Sequence, residues 1–141
     1  MHALPFDADR FDTVFALHAL SYTTTPERLL AEGLAYRCTC SREGIRSSAK
    51  IFGPTGPVYS GTCRDLNHIA TDQKPDALRL RTDDSLIRFE DTLQGPVQCH
   101  IAQSIGDFII RRKDGLIAYN LAVVIDDARQ GITEVVRGYD L

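Results

Sequence analysis

Tryptophan is absent from these 141 residues, methionine occurs once, and lysine is confined to Lys50, Lys74 and Lys113. No apolar run approaches the ~18 residues that a membrane-spanning helix needs. The first twenty residues carry Asp7, Asp9 and Asp12 and no basic stretch ahead of an apolar one, which argues against a secretory leader. A cytoplasmic protein without a membrane partner is the expectation. Internal repeats and low-complexity tracts are also missing. The Gly- and Pro-rich stretch 52–57 is not followed directly by a helix, so it does not read as a phosphate cradle. A net charge of −3 excludes a global attraction for nucleic acid.

What remains is an ordinary soluble composition, 43% apolar and 25% charged. A chain of this size buries roughly two-thirds of its unfolded surface, enough for one domain with a true core. Basic character rests on arginine, the better fork for carboxylates and phosphates. Phe11, Val14, Phe15, Leu17 and Leu20 form a loose helical stripe. Thr25-Pro26-Glu27 is a helix start and Gly33 a stop, which predicts a helix over 26–32 with Leu29 and Leu30 inward. Leu34-Ala35-Tyr36 leads extended into a cysteine pair, and Ser41 caps a short helix within 41–50. The turn chemistry of 52–57 predicts an exposed loop tip. Beyond residue 76 the pattern turns to strands. A hairpin is expected from 78–81 and 86–91, a chain break at Gly95-Pro96, and a further strand over 107–111 with a turn at 113–115. A helix over 120–129, capped by Asn120 and ended by Gly131, and a closing strand over 132–137 complete the expected α/β order.

The chemistry concentrates between Tyr36 and Arg64. Cys38 and Cys40 stand one residue apart, and side chains at i and i+2 of an extended segment share a face. Cys63 returns across the loop as a third sulfur. Zinc takes four such ligands in a tetrahedron, so one is wanting. Tyr59 can supply it, because a bound cation eases the ionisation of a coordinating oxygen. His68 or Cys99 could close the site instead, and a site without metal is the third option. C-x-C lacks the two-residue spacer of thioredoxin-like motifs, which argues against a thiol redox protein.

The run Leu30-Ala31-Glu32-Gly33-Leu34-Ala35-Tyr36-Arg37-Cys38-Thr39-Cys40-Ser41-Arg42 resembles the entry to the zinc site of bacterial glutamyl-tRNA synthetases. Tyr59-Ser60-Gly61-Thr62-Cys63-Arg64 resembles its second half. Gly106-Asp107-Phe108, the stretch from Asp114 to Asp127, and Gly131-Ile132-Thr133-Glu134-Val135-Val136-Arg137-Gly138 are similar to the middle of the same catalytic domain. The closing Asp140-Leu141 favours the shorter paralogues of that family, the glutamyl-queuosine tRNA(Asp) synthetases. Over 1–28 the resemblance is thin, with Phe15-Ala16-Leu17-His18 standing where a polar Gln-Ser-x-Arg is expected.

The resemblance implies an α/β fold: a partial, Rossmann-like class I synthetase catalytic domain with a small zinc-binding insert. Residues 1–35 would be a helical lead-in, 36–70 the insert, and 71–141 the strand-rich α/β part. It implies Zn2+ on Cys38, Cys40, Tyr59 and Cys63, and a glutamate pocket using Tyr119 and Arg137. On the residues alone Tyr119 reads equally as a core tyrosine, and Arg137 as a strand-end salt bridge to Asp140. Expected partners are glutamate and tRNA, specifically tRNA(Asp), for a monomeric ligase that activates glutamate with ATP and Mg2+. HIGH-type and KMSKS-type motifs, which handle the ATP phosphates in that family, are not found in these residues. No catalytic residue is therefore assigned, and the chain by itself is expected to be inactive. The competing expectation is a non-catalytic, zinc-stapled module that binds tRNA or protein, with Arg42, Arg46 and Arg64 beside the metal.

Overall fold

The computed structural model describes residues 25–53, 56–66 and 76–136. The helical stripe expected over 11–20 lies outside them. Helix α1 (Pro26–Ala31) starts as its sequence directs, with the Thr25 hydroxyl accepting from the Arg28 amide and Pro26 at the first helical position. It leads into strand β1 (Ala35–Cys38) and helix α2 (Arg42–Ser48), the latter capped by Ser41, whose hydroxyl accepts from Gly44 N. Strands β2 (Phe52–Gly53) and β3 (Gly56–Pro57) pair antiparallel, so the expected loop tip is a miniature hairpin.

Strand β4 (Ala77–Leu80) does not form the expected hairpin with β5 (Leu86–Asp91). It sits centrally in a three-stranded antiparallel sheet of order β1-β4-β7, where β7 is Ile109–Arg111. β5 pairs instead with β6 (Gly95–His100). The physical reason is the demand of β4 for two neighbours: all four of its residues are buried, and a strand covered on both faces needs both edges paired. Gly95-Pro96 accordingly opens β6 rather than breaking the chain. Asp91 accepts from the amides of Leu93 and Gln94 to make the turn, and Pro96 is tolerated in a two-stranded ribbon whose outer edge pairs with no other strand among the described residues. All strand pairs among the described residues are antiparallel, and together with the helices they give mixed α/β content.

A short helix α3 (Ile101–Ser104) precedes β7, and the turn expected at 113–115 is present, with Gly115 at φ +84°. Helix α4 (Tyr119–Gln130) ends at Gly131 in the left-handed region, as expected, but its cap is Ala118, without a side-chain bond, and not Asn120. Residues 132–136 carry no regular structure and are exposed, so the expected closing strand is not formed within the described residues. Ile132, Thr133, Val135 and Val136 have the β-branched side chains that suit a strand, but no described neighbour offers the ladder that a strand requires.

The register Ala35↔Leu80, Tyr36↔Arg79, Arg37↔Leu78 and Cys38↔Ala77 sorts side chains by face. One face carries Leu78 and Leu80 with Ala35, and packs against Leu29 of α1, Ile110 of β7 and Leu121 of α4. Leu30, Phe108 and Ile125 pack at its margin. The other face carries Tyr36, Cys38 and Arg79. Each fully buried aliphatic side chain contributes about 1.5–3 kcal/mol of transfer free energy. Leu78→Ala should therefore lower unfolding stability by about 2–5 kcal/mol in urea titration. Leu93→Ala, at a site 83% exposed on the β5–β6 turn, should stay within about 0.5 kcal/mol of the parent.

Candidate metal centre

The second face of the sheet gathers a cluster of Tyr36, Cys38, Tyr59 and Cys63, all buried, with Cys40 and Ile45 packed against it. Cys38 comes from the end of β1, Cys40 from the turn before α2, and Cys63 from the turn after β3. Tyr59 is brought in by a parallel bridge to Gly106. Gly106 lies at φ +73°, and a Cβ there would stand 3.1 Å from both the Tyr59 nitrogen and its carbonyl oxygen, so only glycine admits this approach.

The ligating atoms of Cys38, Cys40 and Cys63 all lie within 4.8 Å of one another. Cys40 Sγ is 3.5 Å from Cys63 Sγ, and the Tyr59 hydroxyl is 3.5 Å from both Cys38 Sγ and Cys40 Sγ. Tetrahedral zinc–sulfur bonds of about 2.3 Å put neighbouring sulfurs about 3.7 Å apart, so these separations are close to those such an ion would impose. The four cysteines are free thiols, not disulfides. Cys99 lies on β6, paired with Ile87, outside this group, and His68 lies outside the described residues.

Burial, and then the hydrogen bonds with the three thiols, push the Tyr59 phenol well above the ordinary tyrosine range. The Cys63 amide works the other way, donating to the phenol oxygen at 2.9 Å. Burial likewise raises the Cys40 thiol. Without a cation this environment favours the protonated forms of Tyr59 and Cys40; a cation among the sulfurs would act against that preference.

Asp107, a residue that sequence reasoning left without a role, ties this cluster to the sheet. Its Oδ2 accepts from the Tyr36 hydroxyl at 2.6 Å, and its Oδ1 from the Thr82 amide and hydroxyl at 2.8 and 2.9 Å. Arg64 reaches Oδ1 at 3.4 Å and the Thr82 carbonyl at 2.7 Å. Burial and the Asp107 bond raise the Tyr36 phenol, which stays a neutral donor. The only sequence signal for Asp107 was its place after Gly106; its partners are 25 to 71 residues away. Beside it lies a polar cleft of about 330 Å³ lined by Tyr59, Ser60, Arg64, Thr82 and Asp107 among others.

Of the two residues expected to hold glutamate, only Tyr119 is among the described ones. Tyr119, the first residue of α4, is 61% exposed and so is not a core tyrosine, and it does not line that cleft. Arg137 and Asp140 lie outside the described residues.

Comparison with known proteins gives this arrangement a family. The sequence profile described as tRNA synthetases class I (E and Q), catalytic domain, matches residues 9–141. A glutamyl-Q tRNA(Asp) synthetase of Pseudomonas aeruginosa is 49% identical over 121 residues, which cover 86% of this chain and 38% of that protein. Its counterpart from Pseudomonas fluorescens is 47% identical over 121 residues, 86% of this chain and 37% of the relative. The chain thus spans less than two-fifths of the length of these curated relatives. The crystal structure of a glutamate tRNA ligase from Elizabethkingia meningosepticum, bound to its amino acid, shares the fold with a TM-score of 0.57 at 21% identity, over 94% of this chain and 28% of that one. With the profile matched across nearly its whole length, the chain belongs to the class I glutamyl and glutaminyl tRNA synthetases and represents part of their catalytic domain.

Proposed function

We propose that this chain is the central portion of the catalytic domain of a glutamyl-Q tRNA(Asp) synthetase, with a structural zinc site and a share of the glutamate pocket. Glutamate activation with ATP and Mg2+, and its transfer to queuosine in tRNA(Asp), would be the activity of the complete enzyme. The observation that carries the reading is the meeting of three thiols and a phenol on the polar face of the sheet, in a chain 49% identical to such a synthetase. On this reading Cys38, Cys40, Cys63 and Tyr59 hold the ion, within an insert over 36–70 between the lead-in (1–35) and the strand-rich part (71–141). A zinc ion with four protein ligands has no open position, so its contribution is to staple the loop and not to activate water. Tyr119 and Arg137 bind glutamate, the phenol by hydrogen bonding and the guanidinium as a fork on a carboxylate. The exposure of Tyr119 suits a ligand contact better than a packing role.

The second reading, a zinc-stapled binding module, draws on Arg42 and Arg46, which are exposed on α2. Arg64 is already engaged by Asp107 and the Thr82 carbonyl, which leaves that surface fewer cations than the sequence offered. A monomer in the cytoplasm agrees with either.

Elemental analysis checks the metal. The purified chain should hold about one zinc per molecule, Cys63→Ser should hold none, and Cys99→Ser should keep it. Each ligating thiol surrenders a proton on binding, and burial holds the Cys40 thiol up, so zinc affinity should fall as pH is lowered. Chelator competition at a series of pH values measures this; an affinity that rises on acidification would contradict thiolate ligation. For activity, the 141 residues should give no glutamate-dependent exchange of pyrophosphate into ATP, since they lack both ATP-handling motifs. Robust exchange by this chain would show that those motifs are dispensable.

A further inference from the structure

Arg79 occupies the middle of β4 on the metal-site face, opposite Tyr36, and only 6% of it is exposed. Its guanidinium carbon sits 3.9 Å from the centroid of the Tyr59 ring. One terminal nitrogen donates to the Asp107 carbonyl at 2.6 Å, and Nε has no hydrogen-bond partner among the described residues. No carboxylate forms an ion pair with it there. Arg37 and Arg111, by contrast, share the carboxylate of Asp76, and Arg64 has that of Asp107.

A buried charge without a counter-charge is costly, and most side chains escape by shifting their pKa and becoming neutral. Arginine has no such exit, since it keeps its proton at any physiological pH. Among the described residues Asp107 gives Arg79 its carbonyl, while its carboxylate is taken by Tyr36, Thr82 and Arg64, so a further negative charge nearby would complete the compensation. A neutral Tyr59 ring supplies only the modest attraction of its π face. Three thiolates outnumber the two positive charges of a zinc ion, and a phenolate adds another, so the loaded centre is net negative.

We propose that Arg79 is the counter-charge of the metal centre, a positioning residue that stacks on Tyr59, holds the phenol oxygen at the sulfurs and offsets the excess negative charge of the loaded cluster. The proposal rests on the metal assignment made above. It makes a reciprocal demand: Arg79 strengthens zinc binding, and zinc in turn relieves the strain of a buried guanidinium in the metal-free protein. Both effects follow from one coupling.

The test uses the purified chain with zinc as the probe, in the parent, Arg79→Met, Arg79→Lys and Arg111→Met. Chelator competition should show zinc held about 10–100-fold more weakly by Arg79→Met, the range typical of outer partners of metal ligands. Arg79→Lys, which keeps the charge, should recover most of that loss. Arg111→Met, which removes a sheet arginine whose ion pairs are with Glu27 and Asp76 and not with the thiol cluster, should leave zinc affinity unchanged. The rise in Tm on adding zinc should be smaller in Arg79→Met than in the parent, and the tyrosinate band in ultraviolet difference spectra on metal loading should weaken. Equal zinc affinity in parent and Arg79→Met overturns the proposal while leaving the metal site standing. So does a loss in Arg79→Lys as large as in Arg79→Met, a comparison that holds even where the methionine variant folds poorly. Absence of zinc from the parent itself overturns both this proposal and the metal assignment.

Discussion

A strand buried on both faces must satisfy two unlike environments with alternate side chains, and β4 does so within four residues. Leu78 and Leu80 turn to the apolar core formed with Leu29, Ile110 and Leu121. Arg79, between them, turns to the other face and lies over the Tyr59 ring. Because side chains alternate with a period of two, the face of one fixes the face of the others. A slip of one residue in the β1–β4 register would drive Arg79 among the leucines and strip the metal-site face of its cation. Register here is therefore held by opposed demands, burial of leucine on one side and the ring and carbonyl contacts of Arg79 on the other.

The polar face is knitted by groups that are each unaffordable alone. Asp107 is almost wholly buried, yet its two carboxylate oxygens take three hydrogen bonds, and Arg64 stands beside it. Arg79 takes the Asp107 carbonyl, so a single residue before β7 binds β1, β4 and the turn carrying Cys63. Such networks discriminate strongly between complete and incomplete states, since removing one member leaves another buried and unsatisfied. A metal bound among the sulfurs would join this network through Tyr59, which touches two sulfurs, the Cys63 amide and the Arg79 guanidinium.

Membership of the class I glutamyl and glutaminyl synthetases fits this arrangement. The described residues, however, assemble the thiol face and leave the two residues expected at the amino acid apart, with Tyr119 exposed and Arg137 outside the described range. Tyr119 is exposed at the head of α4, and Val135 and Val136 beyond that helix are exposed as well, Val136 to 90%. Curated relatives are more than twice as long as this chain.

Local chemistry was legible in the sequence. Thr25-Pro26 and Ser41 began helices where hydroxyl caps satisfy free amides, Gly131 ended one in the left-handed region, and the pairing of Cys38 and Cys40 on one side of a short segment followed from spacing alone. Strand partnership was not legible: β4 and β5 alternate equally well, and sequence proximity favoured a hairpin that tertiary burial of β4 rules out. Nor was the role of Asp107 or Arg79, because the value of a buried charge depends on partners dozens of residues away. The sequence by itself determined the family, the helix ends and the residue types that can hold a metal, since these depend on near neighbours and on side-chain chemistry. Only the tertiary structure decided which strands lie together and which charges face the thiols, because both are set by contacts between segments that no local pattern relates.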